Sequence, residues 1–528
     1  MKNSIIIAGC VVATLCFQLA SCSSDNGGGG DSPKPEKILP DDYYAGGRLG
    51  TTYNTTSSAY EQNTQAIDDA GLIEVFKRGE RLFESNYDLD TASTTPMRGL
   101  GPMWTRYSCI QCHPNYGHGH RITTYNSNER GNGCLITVID KDGNVATSLG
   151  EVPMTVATQP FKPMLDESKV TIDWKHYVDD WGNKFPDGET YDLIYPEVTL
   201  PESALYSPLE VNGKPLPMSE ARVTLQSTIG LYGVGLLDAI PDDSLKAQYV
   251  KESAHATLNP RMWNGTDFAS TGVDASGHPY RFDYFCDFAK LQANTSLWEV
   301  TNVITPMFPY LYINDVYART SSKDPDVQSK FYDYYPEWNK TGNVETDIYN
   351  FLTSQNQRVE MPASSCYDLM VWFRGLAVPA ARDVESTEFQ RGKQLFNEIG
   401  CAACHRPSWT TGDDDVVDPY NLTNHGSKAM PRYPHQKIWP YSDLIQHRLY
   451  MQNDIRTGWC RTTPLWGRGL SRKVTGSDDR LHDCRARTVI EAIMWHGNSK
   501  SDARWAVENF RKLSKTDRDA VVKFIESI

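Results

Sequence analysis

The sequence predicts a mainly α-helical fold of two similar helical domains, with long loop-rich and short-strand insertions. The pattern Phe-x-Arg-Gly-x-x-Leu-Phe occurs twice, at residues 76–83 and 389–396, and in each copy the apolar side chains share one face of a helix. A last amphipathic helix is expected to begin near Ser514, with an apolar face that ends at Ile528. Residues 120–220 are rich in Thr, Val, Tyr, Asp and Pro, which predicts loops and short strands.

The size and charge of the chain exclude some classes of function. The chain has 528 residues, with 52 Lys plus Arg against 66 Asp plus Glu and a formal net charge of −14. Such a length allows about two to four domains. The acidic balance argues against a nucleic-acid partner, because phosphates would be repelled. The only long apolar run is residues 4–22, so no internal membrane span is expected.

The N-terminus has the pattern of a bacterial lipoprotein signal peptide. An apolar stretch in residues 1–21 ends in small residues before Cys22, which would become the lipidated first residue of the mature chain. Residues 22–62 are polar and predict a flexible tether. The mature protein is therefore expected in the cell envelope, lipid-anchored, most simply at the outer membrane facing the periplasm or the cell surface. Cleavage elsewhere and an N-terminal membrane span are the alternatives.

The cysteines identify a cofactor. The chain has 12 Cys and 12 His, and Cys-x-x-Cys-His occurs at residues 109–113 and 401–405. This is the attachment motif of c-type haem, in which two thiols bond the porphyrin and the histidine binds the iron. A zinc or thioredoxin-like site would leave both histidines unexplained. The motif predicts two haem c groups, attached through Cys109, Cys112, Cys401 and Cys404, with iron ligands His113 and His405.

The haem motifs and the repeated helix define the predicted domains. We expect an N-terminal cytochrome c-like domain with insertions at residues 63–245, a connecting helical and loop region at 246–384, and a C-terminal cytochrome c domain at 385–528. The first domain has an extra loop at about residues 85–105, since its helix lies further from its haem motif. The glycines of residues 231–241 do not fit a dinucleotide fingerprint.

The second iron ligand decides what each haem can do. A haem with two protein ligands transfers electrons, whereas a haem with an open position can bind peroxide. For the C-terminal haem the tentative second ligand is Met451, and the other candidates are His447, Met430 and His482. For the N-terminal haem the candidates are His118 and His120. The sequence alone assigns no catalytic residue.

Four segments resemble a known family: residues 99–113, 233–241, 439–447 and 463–497. They resemble the bacterial di-haem c-type oxidoreductases, often labelled thiol oxidoreductases, which are similar to di-haem cytochrome c peroxidases and to MauG-type enzymes. The resemblance implies two cytochrome c-like domains, redox chemistry at two haems and a redox protein as electron donor or acceptor. It is weak in residues 121–220 and 250–370.

The chain departs from this family at two cysteines. The family has Trp at the position of Cys460 and Gly at that of Cys484, so a Cys460–Cys484 disulfide is the simplest interpretation. It would leave an odd number of further cysteines, which are Cys134, Cys286 and Cys366. The family also tends to have Met at the position of Leu449, and this departure is why Met451 is a candidate ligand.

Three functions are compatible with these features. The first is a peroxidase-like di-haem oxidoreductase that passes electrons between two covalently bound haems. The second is a non-catalytic electron-transfer cytochrome of the envelope. The third is an envelope binding protein linked to haem or iron acquisition. The spin states of the two haems would discriminate the enzyme from the carrier.

Overall fold

Two pairs of crossed helices, one near each Cys-x-x-Cys-His motif, organise the fold. The structure is a computed structural model that describes residues 39–86, 102–126, 133–291, 313–338, 340–356, 363–418 and 429–528. Pro40–Ile528 cluster as one compact unit. No helix of the described ranges has the length and apolar character needed to cross a membrane. The predicted signal peptide and Cys22 lie outside the described residues.

The helices are short, and several begin at a side chain that accepts a hydrogen bond from the first turn, as Ser386 and Ser514 do. The α-helices are α1 (Gly47–Gly50), α2 (Gln65–Asp69), α3 (Ile73–Glu84), α4 (Val234–Asp238), α5 (Asp242–Glu252), α6 (Asp315–Lys323), α7 (Pro325–Tyr334), α8 (Val344–Thr353), α9 (Ala363–Gly375), α10 (Thr387–Glu398), α11 (Ser471–Thr475), α12 (Val489–Trp495), α13 (Arg504–Lys512) and α14 (Lys515–Ser527). Short 3₁₀ helices lie at Asp41–Tyr43, Cys109–Gln111, Pro114–Tyr116, Glu167–Lys169, Glu202–Ala204, Cys401–Ala403 and Arg468–Leu470.

The strands form two-stranded sheets. They are β1 (Thr51–Thr52), β2 (Met103–Trp104), β3 (Cys134–Ile139), β4 (Val156–Ala157), β5 (Thr171–Tyr177), β6 (Leu193–Thr199), β7 (Glu210–Val211), β8 (Lys214–Pro215), β9 (Arg222–Ser227), β10 (Val378–Pro379), β11 (Trp409–Thr410), β12 (Lys437–Ile438), β13 (Gln446–Arg448) and β14 (Trp459–Arg461). The pairs are β1–β10, which is parallel, and the antiparallel β2–β4, β3–β9, β5–β6, β7–β8, β11–β12 and β13–β14.

The prediction of a mainly α fold is wrong. The long insertion after the first haem motif forms the β3–β9 and β5–β6 ladders, and the C-terminal region adds β11–β12 and β13–β14. Much of the remaining described chain has neither helix nor strand. The error arose because apolar residues recur at helical spacing in the repeated helix and in the last helix. The strands are short and lie among turn residues, so the alternation of apolar and polar residues in them is hard to detect.

The first helix pair joins α3 to α9. A Cβ at Gly79 would collide with the backbone of Asp368 and with Trp372, so glycine lets the two helices approach at backbone distance. Beside this contact, Arg78 binds Asp368 through two hydrogen bonds of 2.8 and 3.0 Å. The helix that packs on the first repeat therefore comes from the predicted connecting region, far along the chain from the haem motif.

The second helix pair joins α10 to α14 in the same manner. A Cβ at Gly392 would collide with the carbonyl of Ala520 and with Phe524. The preceding Arg391 binds Asp517 through hydrogen bonds of 2.8 and 3.1 Å. The shared Arg-Gly dipeptide thus performs the same packing role in both copies, which supports two related helical units.

Two main hydrophobic cores fill the described chain. The first surrounds the α3–α9 pair and includes Phe83, Trp372 and Trp466. The second lies between the β3–β9 ladder and the three helices α6 to α8, and Ile136 and Phe331 are fully buried in it. The inserted strands therefore have their own core beside the helix pairs.

We expect Gly392→Ala to destabilise the protein. The added Cβ has no space between α10 and α14, and overpacking of this kind typically costs about 1–3 kcal/mol. Urea unfolding followed by circular dichroism measures the loss. Glu388→Ala, at an exposed position of the same helix, should stay within about 0.5 kcal/mol of wild type. Equal stability of Gly392→Ala and wild type would contradict the packing role of this glycine.

Candidate functional site

The first Cys-x-x-Cys-His motif forms a tight turn after β2. The side-chain oxygen of Gln111 accepts hydrogen bonds from the backbone N–H groups of Tyr107 (2.6 Å) and Ser108 (3.1 Å), which fixes the start of the turn. At its end, Nδ1 of His113 lies 3.0 Å from the carbonyl oxygen of Ile229. With Nδ1–H donating to this carbonyl, Nε2 becomes the nitrogen that can bind a metal.

The second motif repeats this geometry. Its turn begins after Gly400, which has a φ of 102° that favours glycine. Nδ1 of His405 lies 3.0 Å from the carbonyl oxygen of Tyr441. Phe396, from α10, lies beside His405 with ring centres 6.3 Å apart, as Phe83 of α3 lies beside His113 at 6.0 Å. Both histidines are thus held by one carbonyl and one phenylalanine of the repeat.

Each motif faces its own cavity. Cys401, Cys404 and His405 line a cavity formed with residues 460–465, 480–482 and the helices α12 to α13. Cys109, Cys112 and His113 line a second cavity, whose apolar wall consists of Leu231, Val234, Phe282, Phe285, Phe288 and Phe373. Tyr284 lines both cavities, so the two cavities share one wall residue.

His496 faces His405 in the C-terminal cavity. The two ring centres are 6.4 Å apart, and Nδ1 of His496 lies 2.7 Å from the carbonyl oxygen of Ala492. Two imidazoles that bind one metal from opposite sides, with metal–nitrogen bonds of ~2 Å, have centres about 6 Å apart. Burial lowers the pKa of both histidines, that of His496 to about 4, so both are neutral and able to bind metal at neutral pH.

The sequence analysis did not single out His496 as a candidate ligand. It lies at the end of α12, directly before Gly497, inside one of the segments that carry the family resemblance. The sequence did offer one indication, which is the position of His496 at the end of a predicted helix. A histidine there can donate from Nδ1 to the backbone carbonyl four residues earlier, and this hydrogen bond orients the imidazole ring. The proximity of this ring to His405 depends on the tertiary fold.

The N-terminal cavity differs in its polar groups. Among its described lining residues, His113 is the only histidine and there is no methionine. Arg106 is fully buried, and its Nε and Nη2 atoms have no hydrogen-bond partner among the described residues. Asp283 also lines the cavity, and burial, together with the nearby Asp287, raises its pKa well above the usual value. The cavity therefore holds a guanidinium group and a carboxyl group whose protonated form burial favours, in addition to His113.

Both cavities fit a haem. Besides Arg106, the buried Arg461 and Arg480 of the C-terminal cavity each leave Nε without a hydrogen-bond partner among the described residues. Buried guanidinium groups with N–H donors that lack a partner among the described residues suit the carboxylates that a haem carries as propionates. The donor set of two thiols and an oriented imidazole at each motif is that of covalently attached haem.

The other candidate ligands lie elsewhere. Met451 is buried against a separate polar cavity that includes Tyr195 and Lys500, and Met430 belongs to the first core, so the structure brings neither to His405. His447 and His482 line the C-terminal cavity, but each is bonded to a carboxylate, with His447 Nε2 2.8 Å from Asp443 and His482 Nε2 2.6 Å from Asp454.

The two histidines predicted for the N-terminal haem are also displaced. His118 is buried and lines the C-terminal cavity, with Nε2 3.1 Å from the hydroxyl of Tyr284. His120 is half-buried and lines neither cavity. The short chain between these residues and His113 turns away from the motif, which explains their position.

The predicted Cys460–Cys484 disulfide is not formed in the structure. Cys460 lies on β14 and groups with His482 and Asp454. Cys484 faces the second core, where its sulfur lies 3.9 Å from that of Cys134. The two residues are close in sequence, but the chain between them directs their side chains to different surroundings.

A buried acid lies beside the second motif. Glu252 of α5 groups with Cys404, Asp443 and His447, and its carboxylate accepts a 2.6 Å hydrogen bond from Gln248. Burial, and then the charge of Asp443, raise the pKa of Glu252 to about 7. The folded protein thus takes up a proton here that the unfolded chain releases at about pH 4.3.

We expect this proton to make stability depend on pH. The pKa of Glu252 is higher in the folded protein than in the unfolded chain. Its contribution to the unfolding free energy is therefore fully present below about pH 4.3 and is lost as the pH rises toward 7. Glu252→Gln should remove this loss, and should exceed wild type in unfolding free energy at pH 8 by on the order of 1–3 kcal/mol. Urea unfolding at several pH values tests this. The exposed control Glu220→Gln should keep the wild-type slope, and the same slope in Glu252→Gln would contradict the assignment.

The comparison with known proteins agrees with this geometry. Residues 330–528 match the family model described as "Di-haem oxidoreductase, putative peroxidase". No curated protein matches the chain significantly. The matched segment contains the second motif, the α10–α14 pair and His496, and the family name implies haem cofactors. Over these C-terminal residues, the chain is similar to the di-haem oxidoreductase family.

Proposed function

We propose that this protein is an envelope-anchored di-haem c oxidoreductase with peroxidase-like activity, which passes electrons between two covalently bound haems. The observation that carries the proposal is the difference between the two cavities. In one, His405 faces a second imidazole at 6.4 Å. In the other, the described lining residues offer His113 alone as an imidazole. One site is therefore suited to electron transfer and the other to a reacting ligand.

The chain's own residues would hold both haems. Cys109 and Cys112 would bond the first, and Cys401 and Cys404 the second. When bound, haem c supplies an iron that changes oxidation state and that can bind peroxide where an axial position is open. The buried guanidinium of Arg106 would neutralise a propionate or an anionic ligand in the N-terminal cavity.

The C-terminal cavity supports the electron-transfer role. His405 and His496 are each oriented by a backbone carbonyl, so neither ring needs to reorient when the charge of the metal changes. The aromatic ring of Phe396 and the side chains of Val489 and Ile493 add apolar surface to the cavity beside this pair. Fixed ligands in a largely apolar cavity suit a site that only gains and loses electrons.

The N-terminal cavity supports the peroxidase-like role. Cleavage of a peroxide bond requires a group that can deliver a proton. Burial raises the pKa of Asp283, which favours its protonated form, and Asp283 lines the same cavity as His113. Phe282, Phe285 and Phe288 surround it with apolar surface that limits access of bulk water.

The location and partners complete the proposal. The Cys22 lipoprotein motif supports attachment to the membrane through lipid, most simply at the outer membrane. Electrons would come from, or go to, a redox protein of the envelope. The net charge of −14 gives no support for a nucleic-acid partner.

The first test concerns haem content and the role of His496. We expect the mature holo-protein to exceed the apoprotein mass by two haems that acid–acetone does not extract. His496→Ala should keep both haems but convert the C-terminal one from low-spin to high-spin, because it loses its second ligand. Visible and EPR spectra of the ferric protein measure this change.

The matched control is His435→Ala, which removes an exposed histidine bonded to Asp413 and should leave the spectra unchanged. A single haem per chain would contradict the di-haem proposal. A low-spin signal of full intensity in His496→Ala, with two haems retained, would contradict the assignment of His496 as ligand.

The second test concerns Asp283. Asp283→Asn removes the proton donor from the N-terminal cavity, so peroxide turnover with a reduced electron donor should fall by about 10²-fold or more. Haem content and the ferric spectrum of the C-terminal haem should be retained. The control is Asp333→Asn, at an exposed position of α7. Unchanged turnover in Asp283→Asn would remove this acid from the proposed mechanism.

A further inference from the structure

Two buried cysteines meet between distant parts of the chain. Cys134 begins β3, and Cys484 follows the loop that carries His482. Their sulfur atoms lie 3.9 Å apart although 350 residues separate them in sequence. Both side chains are 0% exposed. A disulfide would shorten this distance to ~2.05 Å.

The backbone at Cys484 also points to a role for its side chain. Cys484 has a φ of 64°, a left-handed conformation that favours glycine and strains other residues. A cysteine that accepts this strain needs a compensating interaction, and the contact of its sulfur with Cys134 supplies one.

The other cysteines outside the haem motifs have different surroundings. Cys286 and Cys366 are buried in the first core, whereas Cys134 and Cys484 belong to the second. Cys460 groups with His482 and Asp454. Among the described residues, Cys134 is thus the partner that the fold presents to Cys484.

We propose that Cys134 and Cys484 form a disulfide in the mature protein. The two S–H bonds break and one S–S bond forms, and the two electrons and two protons pass to the disulfide of an envelope thiol oxidant, which becomes a dithiol. The proposal goes beyond the redox function above and shares with it only the export of the chain to an oxidising compartment.

The bridge would form before the core closes. Burial, and then the neighbouring Cys134, raise the pKa of Cys484 well above its usual value, and a thiol must lose its proton to react. In the closed core the pair is therefore inert toward exchange. Oxidation during folding avoids this barrier, and the finished bond is then shielded from reductants.

The bridge would tie together the walls of the C-terminal cavity. Cys484 lies 3.9 Å from His118 Nδ1, and His118 bonds Tyr284, which lines both cavities. Two residues before Cys484, His482 lines the C-terminal cavity. A bond to β3 would thus fix the inserted sheet against the loop that forms this wall.

Peptide mapping of the exported holo-protein tests the proposal. The protein is denatured in acid, alkylated with N-ethylmaleimide without reductant and digested. We expect one cross-linked peptide pair that joins Cys134 to Cys484, with Cys286, Cys366 and Cys460 recovered in alkylated form. Wild type should also lose several degrees of melting temperature in a phosphine reductant added during refolding.

Two variants sharpen the test. Cys484→Gly places the residue that suits the positive φ, so the protein should fold, lack the cross-link and have a melting temperature insensitive to reductant. Cys460→Ser should retain the cross-link. Recovery of Cys134 and Cys484 as alkylated thiols in wild type would overturn the proposal, as would a Cys460–Cys484 peptide. Haem content is measured on the same sample, so a failure of the di-haem proposal can be distinguished from a failure of the disulfide proposal.

Discussion

Close packing of two helix backbones at a glycine determines the arrangement of both halves of the fold. At Gly79 and at Gly392 a side chain would collide with the opposing helix, so each repeat helix lies directly against its partner. This placement sets Phe83 and Phe396 beside the motif histidines. The two helix pairs thereby position each motif turn beside its cavity. The partner of α3 is α9, which lies far along the chain, whereas the partner of α10 is α14.

From this common base the two sites diverge. Both motif histidines are held at Nδ1 by a backbone carbonyl, which leaves Nε2 as the metal-binding atom. The C-terminal cavity adds His496, fixed by its own helix. The N-terminal cavity instead adds Asp283 and Arg106, whose Nε and Nη2 atoms have no hydrogen-bond partner among the described residues. We therefore infer that a single repeated architecture offers one site with two candidate imidazole ligands and another in which the described lining residues supply one imidazole, an acid and a guanidinium group.

The sequence was sufficient for the features that depend on local spacing. The Cys-x-x-Cys-His motifs and the Arg-Gly repeat could be predicted, because their residues are close in the chain. His496 could not be matched to His405, since their proximity requires α12 and the second motif to fold together. For the same reason the contact between the sulfur atoms of Cys484 and Cys134, which are 350 residues apart, was not foreseen. The mainly α prediction failed because short strands carry little periodicity.

We infer that one haem has two protein ligands and the other has one. Low-temperature EPR of the fully oxidised wild-type protein, with two haems confirmed per chain, tests it most directly. We expect one low-spin and one high-spin ferric signal of equal integrated intensity, with cyanide converting only the high-spin signal. Two low-spin signals that cyanide leaves unchanged would contradict the account and would identify the protein as an electron carrier.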